Sequence, residues 1–397
     1  MRKNVLINLM IMAIIFISGC AREETLSSSI NGVTDNEIII GSSAALGGEA
    51  SFLGTQLIHG SLAYINEINA KGGVHGRKIR LISYDDQYNP SKTIANTQQL
   101  IDVDKVFALF DYVGTPTTVK IIDLVHQAEI PLLGIFSGAE ELRTPFRPQI
   151  FNIRDSYYSE VEEATSYFVD TLGLKKIAVM YQEDDFGLAV LSGVQLALER
   201  RNMELVAIET YIRGTIDVGK AVRAIKLSAA DVVMMVGTYR PLAEFIGISQ
   251  DEGFVPYFYS VSFVGLEELV KVLIDRQKIS SIILDKIVIT QVVPSPFSEK
   301  LPGVREYREL IKKYYPQDEL NSVALEGFIN AKVMVEALER AGKDLNREKF
   351  IEALETMRNF DIGIGKQISY SMLNHQGLKG IYRVLIMENG SYVEISH

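Results

Sequence analysis

The chain has 397 residues, 47% apolar and 23% charged, with 30 Gly, 11 Pro, 18 Tyr, no Trp and one Cys. This ordinary globular composition suits about two domains with cores of their own, and it excludes a disordered, collagenous or disulfide-stapled chain. The formal net charge of -10, from 50 acidic and 40 basic residues without a basic stripe, excludes nucleic acid as an expected partner.

The first element is an address. Arg2 and Lys3 precede an apolar run from Val5 to Ile17, broken only by Asn8. As a helix this run is about 20 Å long, short of the roughly 30 Å hydrocarbon core, so it reads as a signal segment and not as a span. It leads into Ile17-Ser18-Gly19-Cys20, which resembles the bacterial lipobox. The resemblance implies that residues 1–19 are removed and that lipid on Cys20 anchors the protein to a membrane. Residues 20–36 are polar and Ser-rich and read as a tether.

From Glu37 onward, strands and helices alternate. Glu37 to Gly41 reads as a strand, followed by a Gly-rich loop to Gly54. Leu57, Ile58, Leu62, Ile65 and Ile68 then recur at helical spacing until Lys71-Gly72-Gly73. Strands are predicted at Arg80–Tyr84, Val106–Phe110, Pro131–Phe136 and Ile150–Ile153, with helices at Pro90–Ile101 and Thr117–Ala128 between them. The pattern restarts after Arg154–Ser159. Helices fall at Glu160–Leu172, Phe186–Asn202, Asp217–Ser228 and Arg240–Glu252. They alternate with strands at Lys176–Tyr181, Leu205–Thr210, Asp231–Gly237 and Val255–Tyr259. Repeated βα units predict parallel sheets covered on both faces, and two series predict two similar lobes. The C-terminal part gives a strand at Ile287–Gln291 and helices at Val304–Tyr314, Ser322–Ala341 and Phe350–Met357. A hairpin is expected over Ile381–Met387 and Tyr392–Ile395, turning at Asn389-Gly390.

Motifs for catalysis and cofactors are missing. The five His show no metal-ligand spacing, His126 and Glu129 read as a solvated pair, and one Cys cannot build a thiolate site. No phosphate-cradling GxxxxGK[ST], dinucleotide fingerprint or GxSxG elbow occurs. Glu183-Asp184-Asp185 reads as a strand-to-helix loop whose acids favour the helix N-terminus. No catalytic residue, metal or cofactor is therefore expected. What the chain does offer is four loops after predicted parallel strands, where open α/β sheets bind small ligands. They are 41–54, Asp111–Thr117, Phe136–Ala139 and Gly237–Pro241. Thr115, Thr117 and Ser137 place hydroxyls at helix starts, an arrangement suited to capping and to a carboxylate alike.

The segments IIIGSSAALGGEASFLG, INAKGG, GRKI with YDD, VFALFDYVGTPTT and ADVVMMVGTYRPLAEFI carry a family resemblance. Over about Glu37 to Val393 the chain resembles the branched-chain amino-acid-binding proteins, type I periplasmic solute-binding subunits of ABC importers. The resemblance implies an α/β fold of two Rossmann-like lobes joined by a three-crossover hinge that closes on a ligand. The crossovers fall near Arg154, Gln291 and Gly380, which gives lobe I residues 37–153 and 291–379 and lobe II residues 154–290 and 380–397. Family hydroxyls that hold a ligand carboxylate match Thr115 and fall at Gly138, where the backbone N–H, helped by Ser137, would serve. Phe52 or Leu53 and Tyr239 match the family aromatics. The family's two ammonium-binding acids fall at Gln182 and Ser262, neither of which carries charge. The ligand is then an amino acid whose amine is held by a shifted Asp184 or Asp185, or an amine-free carboxylate, amide or aromatic acid. Tyr112, Tyr157, Phe186, Tyr239 and Phe263 are candidates to line its apolar pocket or to pack in the core. The implied partner is an ABC permease in the cytoplasmic membrane; the alternative is presentation of the bound solute to a membrane receptor.

Overall fold

In the computed structural model, residues 31–275, 280–387 and 391–395 are described. Cys20 and the Asn389-Gly390 turn lie outside them. Two sheets organise the chain. The first has the order β2-β1-β3-β4-β5, all parallel, with β1 at Glu37–Ala44, β2 at Lys78–Asp85, β3 at Ala108–Phe110, β4 at Leu132–Leu133 and β5 at Ile150–Phe151. The second contains β6 (Ile177–Gln182), β7 (Ala207–Tyr211), β8 (Val232–Val236), β9 (Tyr257–Ser260) and β10 (Ile287–Gln291). These five are parallel in the order β10-β9-β8-β6-β7. A small hairpin, β11 (Phe360–Asp361) with β12 (Gln367–Ile368), stands apart from both sheets. Antiparallel β13 (Tyr382–Ile386) and β14 (Tyr392–Glu394) then extend the second sheet beyond β10.

The run of apolar residues in β8 is buried throughout, as expected where helices cover both faces of a sheet. In lobe I one covering layer is the Ser51–Ala70 helix laid on the Ser322–Ala341 helix. Gly60 and Gly327 allow that approach. A Cβ at Gly60 would sit 1.8 Å from the Ala324 carbonyl oxygen, and one at Gly327 would sit 2.0 Å from that of Leu57.

Three segments carry the chain between the lobes. Residues 375–378 run beside residues 152–153, with Asn152 N–H donating to the His375 carbonyl and Leu378 N–H to that of Ile153. Gly380 N–H is held by Asp155 Oδ2 at 2.7 Å. β10 extends through Gln291, so the second crossover follows that residue.

Several elements differ from the sequence reading. The segment expected as a Thr117–Ala128 helix starts at Thr115 and runs as three short helical pieces, Thr115–Thr118, Val119–Ile121 and Ile122–Gln127, with the Thr117 hydroxyl bonding back to the Val113 and Gly114 carbonyls in the first. The strand expected over Pro131–Phe136 is only Leu132–Leu133, since Gly134 adopts φ +76° and turns the chain away. A helix at Leu266–Asp275 and the β11–β12 hairpin were not expected. The end of the tether is folded: Ile39 N–H donates to the Gly32 carbonyl, and Gly32 packs so closely on Phe107 that a Cβ would lie 2.2 Å from its nitrogen.

Candidate functional site: a cleft between the two lobes

Strand order places the site. β1 has β2 on one side and β3 on the other, and β6 has β7 and β8, so each sheet has a topological switch point. Loops leaving the C-terminal ends of strands at such a point diverge and leave a crevice. The two crevices face each other. Phe52 of lobe I meets Tyr239 of lobe II edge to face at 6.0 Å, Glu49 pairs with Arg240 at 3.2 Å, and Gln182 Nε2 donates to Tyr88 Oη at 3.4 Å.

The loops that follow β3 and β4 in lobe I carry a buried hydroxyl cluster, the hydroxyl floor. Thr115 Oγ1 and Ser137 Oγ are 2.7 Å apart and fully buried, and Ala139 N–H donates to Ser137 Oγ at 3.2 Å. Gly138 receives Tyr157 N–H on its carbonyl at 2.8 Å. A Cβ on Gly138 would lie 2.5 Å from the Tyr157 ring, so close approach of Tyr157 requires glycine there. The Tyr157 hydroxyl is buried beside Ser137 without a well-formed hydrogen bond, and burial pushes its pKa up to about 12. An uncharged phenol is a hydrogen-bond donor, which suits a carboxylate.

Aromatic rings stand over this floor. Phe263, from the turn after β9, lies 5.4 Å from Phe136, 4.7 Å from Phe186 and 6.0 Å from Tyr88 between ring centroids. Phe186 in turn lies 5.3 Å from Tyr157. A cavity of about 260 Å³ opens outward between the lobes, lined among others by Glu49, Tyr88, Gln182, Arg213 and Thr238.

Gln182 and Ser262, which stand where the family has acids, and the alternative amine partners Asp184 and Asp185 all have partners within the protein. Gln182 donates to Asp184 Oδ2 at 2.6 Å and accepts from Tyr211 Oη at 3.2 Å. Asp184 caps the Asp185–Glu199 helix, with Oδ1 accepting from Phe186 and Gly187 N–H, and its Oδ2 lies 3.6 Å from Arg213. Burial raises its pKa. Asp185 is part-exposed and lies 3.5 Å from Lys120. The Ser262 hydroxyl donates to Glu160 at 2.9 Å and accepts from Arg154. Tyr112 turns away from the cleft floor, its hydroxyl 2.9 Å from Thr97 within the lobe I core.

Thr115, Ser137 and Gly138 thus come together, Phe52 joins Tyr239 across the cleft, and Gln182 reaches Tyr88. Ser262 and Tyr112 are committed elsewhere. Tyr88 and the ionic group around Arg154 were missed by sequence reasoning. Arg154 is fully buried at the first crossover, 3.6 Å from Glu160 on the lobe II side and 3.6 Å from Glu326 on the Ser322–Ala341 helix of lobe I. Burial raises the pKa of Glu326 to about 7, because the charged form loses water and faces Glu160, while Arg154 only partly offsets this. One signal was available: a lone Arg between the apolar Ile150–Ile153 and the Tyr157–Tyr158 pair must find buried partners.

Among the described residues no group of His, Cys, Asp and Glu could hold a metal ion, and no helix is long and apolar enough to cross a membrane.

Two facing α/β lobes with crevices at paired switch points make an architecture in which a small molecule can be held between lobes. The profile of the periplasmic binding protein family matches residues 37–390, and the chain belongs to that family. Its fold is the type I, two-lobed one. The crystal structure of "a possible leucine/isoleucine/valine-binding protein" from Rhodopirellula baltica SH 1 superposes with a TM-score of 0.85 at 31% identity, over 93% of this chain and 98% of that one. The "Leu/Ile/Val-binding protein homolog 7" of Brucella abortus is 25% identical over 83% of each chain. An "Amino acid binding protein" of Pseudomonas aeruginosa is 26% identical over 61% of this chain and 66% of its own length, just under two thirds of that relative.

Proposed function

We propose that the protein is the extracytoplasmic capture subunit of an ABC importer and that it binds a small carboxylate-bearing solute with an apolar body. The observation that carries this reading is the buried cluster of Thr115, Ser137 and Tyr157 hydroxyls beneath the rings of Phe136, Phe186 and Phe263. Hydroxyl donors at the end of a parallel strand satisfy a carboxylate, and the rings remove an apolar body from water. The names carried by the relatives, amino-acid and Leu/Ile/Val binding, favour the same ligand size and chemistry. The ligand binds by closure of the hinge, since a closed state is favoured only by contacts made with both lobes at once. Residues 37–153 and 292–379 form the lobe supplying the Thr115 and Ser137 hydroxyls, and 154–275, 280–291 and 380–387 the lobe supplying Tyr157, Phe186, Tyr239 and Phe263. Signal cleavage and lipidation at Cys20 then hold the protein on the outer face of a membrane beside its permease. The test is calorimetric titration of the purified full chain with carboxylic solutes, paired with Thr115→Ala. A carboxylate dissociation constant unchanged by Thr115→Ala removes the hydroxyl floor from the site.

A further inference from the structure

We propose that Arg154 sets the ligand class, selecting an amine-free organic acid over the corresponding amino acid; this rests on the solute-binding reading above. The guanidinium carbon lies 4.7 Å from the centre of the Phe136 ring, whose chain neighbour is Ser137, and 5.9 Å from that of Tyr157. Arg143 ties the same loops together, donating to the Arg154 carbonyl at 2.9 Å and to the Ser137 carbonyl at 3.4 Å. Arg154 therefore borders the hydroxyl floor. It is completely buried, yet Nε and Nη1 make no hydrogen bond, and only Nη2 donates, to Ser262. Its two carboxylate neighbours stand off at 3.6 Å. Unsatisfied donors on a buried guanidinium are costly, and one carboxylate can accept from Nη1 and from the second N–H of Nη2 together. Tyr157 Oη, also buried, supplies a further donor to the same anion.

An ammonium group meets the opposite situation. The cleft carboxylates have prior partners: Asp184 caps a helix and accepts from Gln182, and Glu160 accepts from Ser262 N–H, Ser262 Oγ and Thr290 Oγ1 at 2.6–2.9 Å. Glu326 faces Arg154. At Ser262 the incoming ammonium would adjoin the Arg154 guanidinium, and the carboxylate there, Glu160, already accepts three hydrogen bonds and faces Arg154. The ligand class is thus a monocarboxylate with a branched or aromatic body and no amine.

The test compares matched pairs by calorimetry on the full wild-type chain: leucine against 4-methyl-2-oxopentanoate and 4-methylpentanoate, and phenylalanine against 3-phenylpropanoate. The amine-free acid is expected to bind at least tenfold more tightly in at least one pair. Equal or tighter binding of the amino acids overturns the proposal and leaves the solute-binding reading intact. No binding by any member overturns both. Arg154→Lys and Arg154→Met are then titrated with 4-methylpentanoate and its primary amide. The wild-type preference for acid over amide should fall at least tenfold in Arg154→Met, with partial rescue by Arg154→Lys. An unchanged acid-to-amide ratio in either folded variant contradicts the assignment, since a structural role alone would weaken both ligands together. If Arg154→Met does not fold, Arg154→Lys and the wild-type pairs remain decisive.

Discussion

Glu326→Gln isolates the hinge electrostatics in one atom exchange. Glu326 is buried against Arg154, and its pKa stands at about 7, above the ordinary glutamate value of 4.5. A tenfold change in proton affinity is worth about 1.4 kcal/mol, so this displacement corresponds to about 3 kcal/mol. The sign follows from proton binding: between the two values the folded state holds the proton more tightly than the unfolded chain does. The stabilisation is complete below about pH 4.5 and is lost as pH rises through about 7. Glutamine keeps the shape and the uncharged state at every pH. The stability of the wild type relative to Glu326→Gln should therefore fall by about 2–3 kcal/mol between pH 5 and pH 8. Since the chain has no Trp, urea unfolding followed by far-UV circular dichroism and tyrosine fluorescence is the natural assay. A stability difference that stays constant across that range would show that Glu326 titrates normally, and the buried three-residue ionic group would lose its basis.

Three further outcomes are expected. Thr115→Ala should weaken binding of carboxylate ligands by about 1.5–3 kcal/mol, the usual worth of hydrogen bonds to a charged group, and calorimetry measures it directly. Gly327→Ala places a methyl group 2.0 Å from the Leu57 carbonyl oxygen and should cost about 3 kcal/mol through separation of the two lobe I helices; an unfolding midpoint equal to the wild type would contradict the packing. Cys20→Ala should release the protein from membranes in a sedimentation assay, and continued sedimentation would remove lipidation as the anchor.

The sequence reveals the parts of this fold that depend on periodicity and hides those that depend on pairing. β8 and β10 lie within or match their predicted spans, and the Ser322–Ala341 helix matches its own, because each has an unbroken apolar period. β4 and β5, two residues each, are too short to carry a period, and their ends are set by turns such as Gly134. Leu266–Asp275 is amphipathic in sequence but opens without a polar capping side chain, directly after Gly265 at φ +75°. The cleft loops were legible because they follow strand ends, and so was the placing of Thr115 and Ser137 on two of these loops. Side-chain direction was not. Tyr112 and Tyr157 both follow strands, yet one hydroxyl bonds Thr97 in the core and the other reaches Ser137. The resemblance put Ser262 where the family has an acid; its commitment to Glu160 and Arg154 needs residues from three separate segments to meet.

The most direct test of the capture function is a thermal-shift screen of the purified full chain. The compounds are amino acids, their 2-oxo and amine-free acid analogues, simple amides and aromatic acids. A ligand present at 100 times its dissociation constant adds about 2.7 kcal/mol. The melting midpoint should rise by several degrees with one or more carboxylates, and Thr115→Ala should reduce that rise. A midpoint that no carboxylate moves at millimolar concentration would contradict the assignment of this cleft as a carboxylate site.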